Sequence, residues 1–542
     1  MLLEDKILSF VHEMGYLNNE HVLGILFYGS YLTGFNNENS DIDLHIVFDN
    51  EDPHHLIRGN KVIDGTRIEY FEKPILDVYQ TVNEDFLHQN NATLTIFGTS
   101  KIIYAKDNQL KQLQEYVVSK FATPLPPLSV DEAKEQVSII NNRMEKLKQY
   151  AEFDSPYFEH LYHLTIEKIR RFYHNIMGIP RIETSKGFRL YTDERYRRAF
   201  CIHQIPEHPF IEMYFEAISN TSVDKIQKYN LLYKMYEFTK RNVVLDKDYR
   251  IPIQSRNIEV DVPIIRPTVV EKRDMIEIPP TTLKVILKFI KEMNYINNER
   301  CLGIIVYGSS LTGFNTNISD IDLQVVFDDM EPNCLIRGNK IINGTKIEYF
   351  EKPISDLYLE IENGYFHQNN ASFSIIGKGT IVFERENQLS LLQQYAINRF
   401  SSPMPCLSEE DTKEQVSILN NKMEKLEKLA MDDHIGFEHF SHLMIEKIRK
   451  FYHKYIGISK IPTSKVYRIY TDEDYRNSVY KENPEPEFLN MYLNLITTNC
   501  VDKLQRLQMV KDFYHYATRN IQLDSDYRIL IKSRNIGNNQ SR

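Results

Sequence analysis

The amino-acid sequence predicts two tandem copies of one unit, each an α/β domain followed by an all-helical domain. Three observations predict this fold class. The segment 24–48 returns as 303–327, at an offset of 279, with 17 of 25 positions identical. In each copy, short β-rich runs come first and helical periodicity follows. A charged stretch containing several prolines separates the copies and has the character of a semi-stiff linker.

The repeat sets the limits of the predicted domains. The match closes at an offset of 278 with DYRIPIQSRNI (248–258) and DYRILIKSRNI (526–536). The predicted ranges are 1–106 for the first α/β domain, 107–258 for the first helical domain, 259–280 for the linker, 281–385 for the second α/β domain and 386–542 for the second helical domain. The period is far longer than that of stacked solenoid repeats, so this is a tandem duplication.

Within each α/β domain, short runs rich in β-branched and aromatic residues predict strands. In the first copy these runs are VLGILFYG, DIDLHIVF, RIEYFE, TLTIFG and KIIYA, with GNKVIDG expected as a turn. From residue 107 onward, apolar residues at helical spacing predict helices. The helical stretches are NQLKQLQEYVVSKF, DEAKEQVSIINNRMEKLKQYAEF, FEHLYHLTIEKIRRFYHNIMG and VDKIQKYNLLYKMYEFTKRNVV.

The composition is that of a globular protein and argues against several other classes. Hydrophobic residues make up 42%, and 65 basic against 75 acidic residues give a net charge of −10. This charge argues against general nucleic-acid binding, which needs a basic surface. No stretch approaches about 18 apolar residues, so no membrane span is expected. Five cysteines without a CxxC pair, and an N-terminus unlike a signal peptide, favour a cytoplasmic protein with reduced thiols.

A glycine–serine pair follows the first predicted strand of each copy. Gly29 and Ser30 come directly after LGILFY and are expected to open a short helix; Gly308 and Ser309 repeat them. Glycine lets the backbone approach a ligand closely, and the hydroxyl group and free amides at a helix start favour phosphate. These four residues are the candidates for binding the phosphates of a nucleotide.

Two carboxylates, Asp41 and Asp43, lie in the predicted strand DIDLHIVF, and Asp320 and Asp322 repeat them. Residues two apart in a strand share a face, so each pair projects together away from the apolar positions. At an effective dielectric of ~20, their repulsion is roughly 3–4 kcal/mol. Such a pair is stable in its ionised form with a divalent cation between the carboxylates, and hard oxygen ligands suit Mg²⁺ or Mn²⁺.

Glu69, in the later strand TRIEYFE, is the candidate third carboxylate, and Glu348 is its equivalent. We expect this strand and DIDLHIVF to be antiparallel neighbours, which would bring their outward faces side by side. Each copy would then have three carboxylates holding two metal ions, an arrangement suited to in-line attack on an α-phosphate. The proposed metal ligands are Asp41, Asp43 and Glu69 in the first copy and Asp320, Asp322 and Glu348 in the second.

The spacing of these residues resembles a known signature. Gly29-Ser30-x10-Asp41-Ile-Asp43 is similar to the motif of the DNA polymerase β-like nucleotidyltransferase superfamily, of the antibiotic or minimal type, and the second copy matches equally. The resemblance covers each α/β half, and the helical halves resemble, more loosely, the bundles of antibiotic nucleotidyltransferases. It implies a small mixed-sheet domain and transfer of a nucleoside monophosphate (NMP) from a nucleoside triphosphate (NTP), with pyrophosphate released. It also implies two Mg²⁺ or Mn²⁺ ions in each active site.

A polar stripe runs along one predicted helix of each helical domain. Its members, which lie on one helical face, are His160, His163, Glu167 and His174 in the first copy and His439, His442, Glu446 and His453 in the second. Three interpretations stay open. The stripe could form a zinc site, although no cysteine accompanies it. Glu167 and Glu446 could act as general bases for the acceptor, which the resemblance favours. The stripe could also be satisfied at a domain interface.

Basic residues recur at equivalent positions in both copies. Lys186 and Lys465 are the main candidates for binding the triphosphate, because the leaving pyrophosphate needs neutralising charge. Further basic candidates recur nearby in the sequence: Arg58, Lys61, Arg189 and Arg197, and Arg337, Lys340, Arg468 and Arg476.

The leading hypothesis is a nucleotidyltransferase that moves AMP from ATP to a hydroxyl of a small molecule, such as an antibiotic or metabolite. An acceptor hydroxyl on a tRNA or a protein is the second hypothesis, and a non-catalytic nucleotide-binding sensor is the third. Some antibiotic nucleotidyltransferases form their sites at a homodimer interface, and the duplication therefore suggests an intramolecular pseudo-dimer. The sequence leaves the acceptor undetermined.

Overall fold

The structure is a computed structural model that describes most of the chain. The described residues are 2–37, 40–51, 56–253, 264, 266–268, 277–308, 311, 320–330, 335–479, 484–498 and 502–531. Ser309, most of the linker, and the segment 312–319 before the second pair of aspartates lie outside these ranges.

The first copy begins with strands and short helices and continues with longer helices. Its elements are α1 (Leu3–Glu13), β1 (Val22–Tyr28), α2 (Ser30–Thr33), β2 (Ile42–Phe48), β3 (Ile57–Ile63), β4 (Thr66–Pro74), α3 (Ile75–Leu87), β5 (Lys101–Ala105), α4 (Gln109–Phe121), α5 (Val130–Glu152), α6 (Phe158–Met177), α7 (Thr184–Thr192), α8 (Glu194–Ala199), α9 (His208–Ser219), α10 (Lys225–Lys240) and β6 (Tyr249–Pro252).

The second copy repeats this order of elements, except for α2, whose equivalent positions 309–312 lie mostly outside the described residues. They are α11 (Pro280–Glu292), β7 (Cys301–Tyr307), β8 (Ile321–Phe327), β9 (Ile336–Ile342), β10 (Thr345–Pro353), α12 (Ile354–Phe366), β11 (Thr380–Glu384), α13 (Gln388–Arg399), α14 (Glu409–Met431), α15 (Phe437–Tyr455), α16 (Thr463–Thr471), α17 (Glu473–Val479), α18 (Pro486–Thr497), α19 (Lys503–Thr518) and β12 (Tyr527–Leu530).

Each copy contains a mixed sheet of six strands. The first sheet has the order β12-β3-β4-β2-β1-β5, and the second has the order β11-β7-β8-β10-β9-β6. In the first sheet β1 is antiparallel to β2 and β5, whereas β2 and β4 run parallel. The two mixed-sheet domains with their helices confirm the predicted fold class.

The expected direction of one strand pair is wrong. The strands that carry Asp43 and Glu69 are neighbours, but they run parallel instead of antiparallel. Most of the segment expected as a turn belongs instead to the strand β3, and the chain reverses only at Asp64 and Gly65, both with positive φ. The strand β3 runs opposite to β2, and β4 reverses direction again after the turn. The strand β4 therefore runs parallel to β2. The same hairpin recurs between β9 and β10.

The segment TLTIFG does not form the predicted strand. Residues Leu94–Gly98 form a π-helical turn in which Leu94 and Phe97 are buried. The side-chain amide of Gln114 in α4 donates a hydrogen bond of 3.0 Å to the carbonyl oxygen of Phe97. Contacts with this distant helix therefore override the local β propensity of the segment.

The sheet is apolar on both faces, and alternation along β2 decides which residues face which layer. Ile42, Leu44 and Ile46 belong to the core formed with α1. Val47 points to the other face, where it packs with residues of α3 and α4. Asp43 shares the face of Val47 but lies at the opposite end of the strand.

The helical halves of the two copies share one hydrophobic core. Its central helices are α6 and α15, which contact each other directly. The contact includes polar groups as well, since the buried Tyr157 hydroxyl donates 2.7 Å to the carbonyl oxygen of Thr463 in the other copy. The two helical domains are therefore packed as one body.

The two copies exchange their last strands. The strand β6, which follows the first helical half, pairs antiparallel with β9 of the second sheet. The strand β12, which follows the second helical half, pairs antiparallel with β3 of the first sheet. The sequence analysis did not predict these strands, since it assigned both segments to the helical halves. Each sheet thus obtains its edge strand from the other copy.

An ion pair links the exchanged strand β12 to Glu72, which lies in β4 of the first sheet. Glu72 of β4 is completely buried, and Arg528 of β12 donates hydrogen bonds of 2.8 and 3.3 Å to its carboxylate. Tyr16 donates a third hydrogen bond of 2.7 Å. A buried carboxylate depends on such partners, because burial without them is costly.

Replacing Arg528 by alanine is expected to lower the free energy of unfolding by about 2 kcal/mol. The variant leaves Glu72 buried without its main cation, and the half-exposed position of Arg528 keeps the loss below that of a fully buried pair. Denaturant unfolding measures the change. Arg198→Ala is the control, because its pair with Glu194 is highly exposed, and exposed pairs contribute little. Equal stability of both variants would contradict the expectation.

Four buried histidines meet where α6 crosses α15. The Nδ1 atoms of His160 and His442 lie 2.9 Å apart, and those of His163 and His439 lie 3.4 Å apart. Burial lowers the pKa of all four side chains. These four members of the stripe therefore lie at the interface between the copies, whereas His174 and His453 bond to residues of their own copy. The charged groups nearest to it are Glu446 (3.8 Å from His160), Glu167 (3.9 Å from His439), and Glu438 and Arg506 (3.1 and 3.4 Å from His442).

We expect the free energy of unfolding to fall as the pH is lowered from about 7 to about 5. The unfolded histidines take up protons near their ordinary pKa, whereas the buried ones stay neutral to lower pH. Protons are therefore bound preferentially by the unfolded chain. Each such histidine contributes a slope of up to roughly 1.4 kcal/mol per pH unit. Denaturant unfolding at several pH values measures it. His160→Gln should reduce the dependence of the free energy of unfolding on pH. The control His208→Gln, at an exposed position, should leave it unchanged. A wild-type free energy of unfolding that does not change with pH would contradict this account.

Candidate active site

The three sequence-predicted carboxylates of the first copy lie together. Asp43 in β2 and Glu69 in β4 are direct partners in the parallel strand pair, so their side chains share a face. Asp41 immediately precedes β2, and one oxygen from each of the three carboxylates lies within 4.8 Å of the others. In the second copy Asp322 and Glu348 are direct partners in the same way. The group arises from two neighbouring strands in register.

Burial makes this group electrostatically costly without a cation. The pKa of Asp43 is raised well above its usual value by burial first, and then by the charges of Asp41 and Glu69. In the second copy burial, followed by the charge of Glu348, raises the pKa of Asp322 to about 7. A divalent cation bound here would offset both effects, because it stabilises the ionised carboxylates.

The glycine of the Gly-Ser pair is required by the aspartate beside it. Gly29 has φ +86°, and a Cβ atom placed on it would lie 1.9 Å from Oδ2 of Asp43. Gly308 has φ +85°, and its Cβ atom would lie 2.3 Å from Oδ2 of Asp322. Any other residue would therefore displace the carboxylate. Ser30 begins α2 directly after this contact, as the sequence predicts.

The sequence-predicted lysines also lie at the carboxylates. Burial lowers the pKa of Lys186, whose neighbours include Lys425, Asp43 and Asp41. Lys465 of the second copy lies close enough to Asp322 to act against the rise of its pKa. Both lysines come from the helix that follows the long helix pair of their own copy, and they place positive charge beside the carboxylates.

Residues from the other copy lie beside the carboxylates of the second copy, and the sequence analysis missed them. Asn142 in α5 of the first copy places its amide 3.4 Å from both carboxylate oxygens of Glu348. Lys146, one turn further on, lies near Asp322 and Lys465, and burial lowers its pKa to about 8. Nothing in the sequence of one copy indicates this contribution, because it depends on how the copies pack.

The first site receives the equivalent helix of the second copy. Arg67, in β4, lies 3.3 Å from Asp41 and also pairs with Glu424 of α14 at 2.7 Å. Lys425 of the same helix lies beside Lys186 and Glu183, and its ammonium group is 2.8 Å from the Glu183 carboxylate. Both sites are therefore formed from an α/β domain, the helical half of the same copy and the long helix of the other copy.

A cavity of about 440 Å³ opens beside Glu69. Its walls come from Arg67 and Asn60 of the first α/β domain and from helices α14 and α19 and the segment before β12 in the second copy. The acidic side chains Glu424, Glu427 and Asp524 lie on the second-copy wall. The volume of the cavity is within the range of small-molecule sites, and the cavity adjoins the third carboxylate.

The structure does not bring Glu167 to the carboxylates. The carboxylate of Glu167 accepts hydrogen bonds from Arg170 at 2.9 Å and from Arg171 at 2.7 Å. Burial would raise its pKa, but these two charges outweigh burial and hold the pKa well below its usual value. Glu446 has the same arrangement with Arg449. A carboxylate with such a pKa accepts a proton poorly, so this geometry does not favour the expected role as general base.

Two of the other basic candidates reach the carboxylate group itself. Arg58 forms an ion pair with Glu69, and Arg337 forms one with Glu348 at 2.5 Å. The remaining candidates make other contacts: for example, Lys61 pairs with Glu13 at 3.2 Å and lies 3.8 Å from Asp526 of the second copy. The two arginines thus neutralise the third carboxylate.

Comparison with known proteins agrees with this geometry. Residues 15–109 match the family model described as polymerase beta, nucleotidyltransferase, and residues 283–429 match the model described as nucleotidyltransferase domain. The chain contains two nucleotidyltransferase domains in tandem. Both matched ranges include the aspartate pair and the third carboxylate of their copy.

Other comparisons add little about these nucleotidyltransferase domains. The chain is similar to a nucleotidyltransferase-like protein from Exiguobacterium sibiricum 255-15, with 12% identity and a TM-score of 0.28, covering 44% of this chain and 75% of that chain. No curated protein sequence matches the chain. Within the described residues, every helix is too short or too polar to serve as a membrane span.

Proposed function

We propose that the chain is a metal-dependent nucleotidyltransferase that transfers an NMP, with ATP the expected donor, to a hydroxyl of a small molecule such as an antibiotic or metabolite. The observation that carries the proposal is the grouping of Asp41, Asp43 and Glu69 within 4.8 Å on two neighbouring strands. The matched family models support the class of reaction. The nature of the acceptor is argued from the cavity beside Glu69.

The carboxylates of each site would hold Mg²⁺ or Mn²⁺, two ions per site. The donor set fits, because all ligands are hard oxygen atoms and because the partly buried Asp43 and Asp322 resist ionisation without a cation. When bound, the ions would neutralise charge on the α-phosphate and favour attack by the acceptor hydroxyl. Arg58, which is ion-paired with Glu69, would orient the Glu69 carboxylate toward the other two carboxylates.

The residues beside the carboxylates would bind the triphosphate. We assign the binding of the phosphates to Gly29 and Ser30 in the first copy and to Gly308 and Ser309 in the second. Ser309 lies outside the described residues. Lys186 and Lys465 would neutralise the leaving pyrophosphate. Their location next to Asp43 and Asp322 supports this assignment.

The acceptor is inferred from the charge and the size of the cavity. Its lining has more acidic than basic side chains: Glu424 and Glu427 pair with Arg67 and Lys511, and Glu69 and Asp524 add further negative charge. This surplus of negative charge supports a cationic acceptor. A volume of about 440 Å³ suits a small molecule. The net charge of −10 argues against an extended nucleic-acid surface, although the end of a tRNA needs no such surface.

We further propose that the two copies act as an intramolecular pseudo-dimer. The exchanged strands, the shared helical core and the long helices that each reach the other copy's carboxylates support this proposal. In this arrangement neither copy has a complete active site of its own.

The experiment that tests the proposed function is a search for the acceptor. Purified protein would receive each NTP labelled at the α-phosphate, with Mg²⁺ or Mn²⁺, and the small-molecule, RNA and protein fractions of a bacterial lysate separately. Label in the small-molecule fraction that is lost in Asp41→Ala/Asp320→Ala supports the proposal. Label in the RNA or protein fraction would show that the acceptor is an RNA or a protein instead of a small molecule. NTP binding without transfer in any fraction would favour a sensor.

A further inference from the structure

The exchanged strand extends the row of residues that contains the carboxylates. In the first sheet Tyr28 is the direct partner of Asp43, Asp43 of Glu69, Glu69 of Asn60, and Asn60 of Tyr527 in β12. Residues that are direct partners across strands project to the same face of a sheet. Tyr527 of the second copy therefore lies on the face of the active site, two strands from Glu69.

The second sheet has the same row with the copies interchanged. Tyr307 is the direct partner of Asp322, Asp322 of Glu348, Glu348 of Asn339, and Asn339 of Tyr249 in β6. A tyrosine from the other copy thus ends the row in both sites. The same position of the tyrosine in both sheets indicates that it is a regular feature of the fold.

Matching hydrogen bonds fix the start of each exchanged strand. In the first sheet the Asn60 amide donates 2.5 Å to the carbonyl oxygen of Ser525, and the backbone N–H of Val62 donates 2.9 Å to Asp526. In the second sheet the Asn339 amide donates 2.5 Å to the carbonyl oxygen of Lys247. The backbone N–H of Ile341 donates 2.9 Å to Asp248. These bonds set the register that brings each tyrosine into the row.

Each tyrosine is a diagonal neighbour of the arginine that holds the third carboxylate. Arg58 lies two residues before Asn60, the direct partner of Tyr527, so it projects to the same face, and it is ion-paired with Glu69. Arg337 lies two residues before Asn339, the direct partner of Tyr249, and it is ion-paired with Glu348. Tyr527 also lines the cavity beside Glu69.

We propose that Tyr527 and Tyr249 are positioning residues of the active sites, each supplied by the other copy. The phenol fixes the guanidinium group of Arg58 or Arg337, and the guanidinium group fixes the third carboxylate for the cation. This inference rests on the proposed function for its consequence in catalysis. Groups that orient metal ligands in this way typically change metal affinity or activity by roughly 10–100-fold when they are lost.

The test uses full-length chains with one site disabled. Asp322→Asn disables the second site and keeps the first intact, whereas Asp43→Asn disables the first and keeps the second intact. Tyr527→Phe is then added to each of these chains. Manganese binding, measured by electron paramagnetic resonance with a non-hydrolysable ATP analogue, reports on the remaining site without any transfer. We expect Tyr527→Phe to weaken binding about tenfold in the chain that retains the first site only. Tyr249→Phe should act on the second site instead, and the half-exposed Tyr233→Phe is the control.

The result that would overturn the inference is equal manganese affinity with and without Tyr527→Phe at the first site, in a chain whose melting temperature is unchanged. A loss of the same size at both sites would also overturn it, since it would indicate a general effect on stability. Transfer kinetics give a second readout, with a lower kcat and an unchanged KM for NTP expected. If the parent chains bind manganese and nucleotide but transfer nothing, the proposed function fails, and the binding comparison still decides the role of Tyr527.

Discussion

Replacing Asp43 and Asp322 together by asparagine is expected to abolish nucleotidyl transfer. Each aspartate is the direct strand partner of the third carboxylate of its site. Asparagine retains its shape but cannot supply the negative charge that holds a divalent cation. A loss of about 4 kcal/mol of charge stabilisation corresponds to a rate decrease of about a thousandfold. The measurement is the initial rate of label transfer from an NTP labelled at the α-phosphate.

The control for this variant lies on the same strand. Asp49 follows the other end of β2 and pairs with His21, away from the carboxylate row, so Asp49→Asn should keep the wild-type rate. In the metal-free state the double variant should be at least as stable as wild type, because burial already disfavours the ionised aspartates. Transfer at the wild-type rate by the double variant would refute the assignment of the site.

Separating the two copies is expected to inactivate both sites. A monomeric first half would lack the edge strand β12 and the helix α14, which brings Lys425 to the first site. It would also expose the half of the helical core that the second copy covers, and an open strand edge with an apolar surface favours association. The measurement combines sedimentation with the transfer rate, for each half alone and for the two halves produced together.

Two halves produced together should associate in equal amounts and transfer nucleotide. A full-length chain with a protease site at residue 270 provides the matched control, because cutting it after folding leaves the exchanged strands in place. Cut chain should therefore keep its activity. Full activity in a monomeric half would rule out the pseudo-dimer.

The carboxylate group could be predicted from the sequence because local rules determine most of it. Alternation in DIDLHIVF places Asp41 and Asp43 on one face, and the Gly-Ser pair precedes them at a fixed spacing. Glu69 was assigned correctly to the same face, although through an antiparallel pairing that the structure does not have. The wrong strand direction did not affect the face predicted for Glu69, because side chains of direct partners share a face in parallel and antiparallel pairs alike.

The contributions between copies could not be predicted, because they depend on long-range packing. The exchanged strand β12 is four residues long, and its partner β3 lies more than 460 positions earlier in the chain. Nothing in its sequence selects one open sheet edge over another. Lys146 likewise has the character of a surface lysine in a helix, and only the packing of α5 against the second copy brings it near Asp322.

The most direct test of the central claim compares ATP labelled at the α-phosphate with ATP labelled at the γ-phosphate, using the same acceptor and the same metal. A nucleotidyltransferase moves the α-label to the acceptor and releases the γ-label as pyrophosphate. We predict this pattern for the wild-type chain, and neither transfer nor pyrophosphate release for Asp43→Asn/Asp322→Asn. Transfer of the γ-label to the acceptor, or α-label transfer that persists in the double variant, would contradict the account.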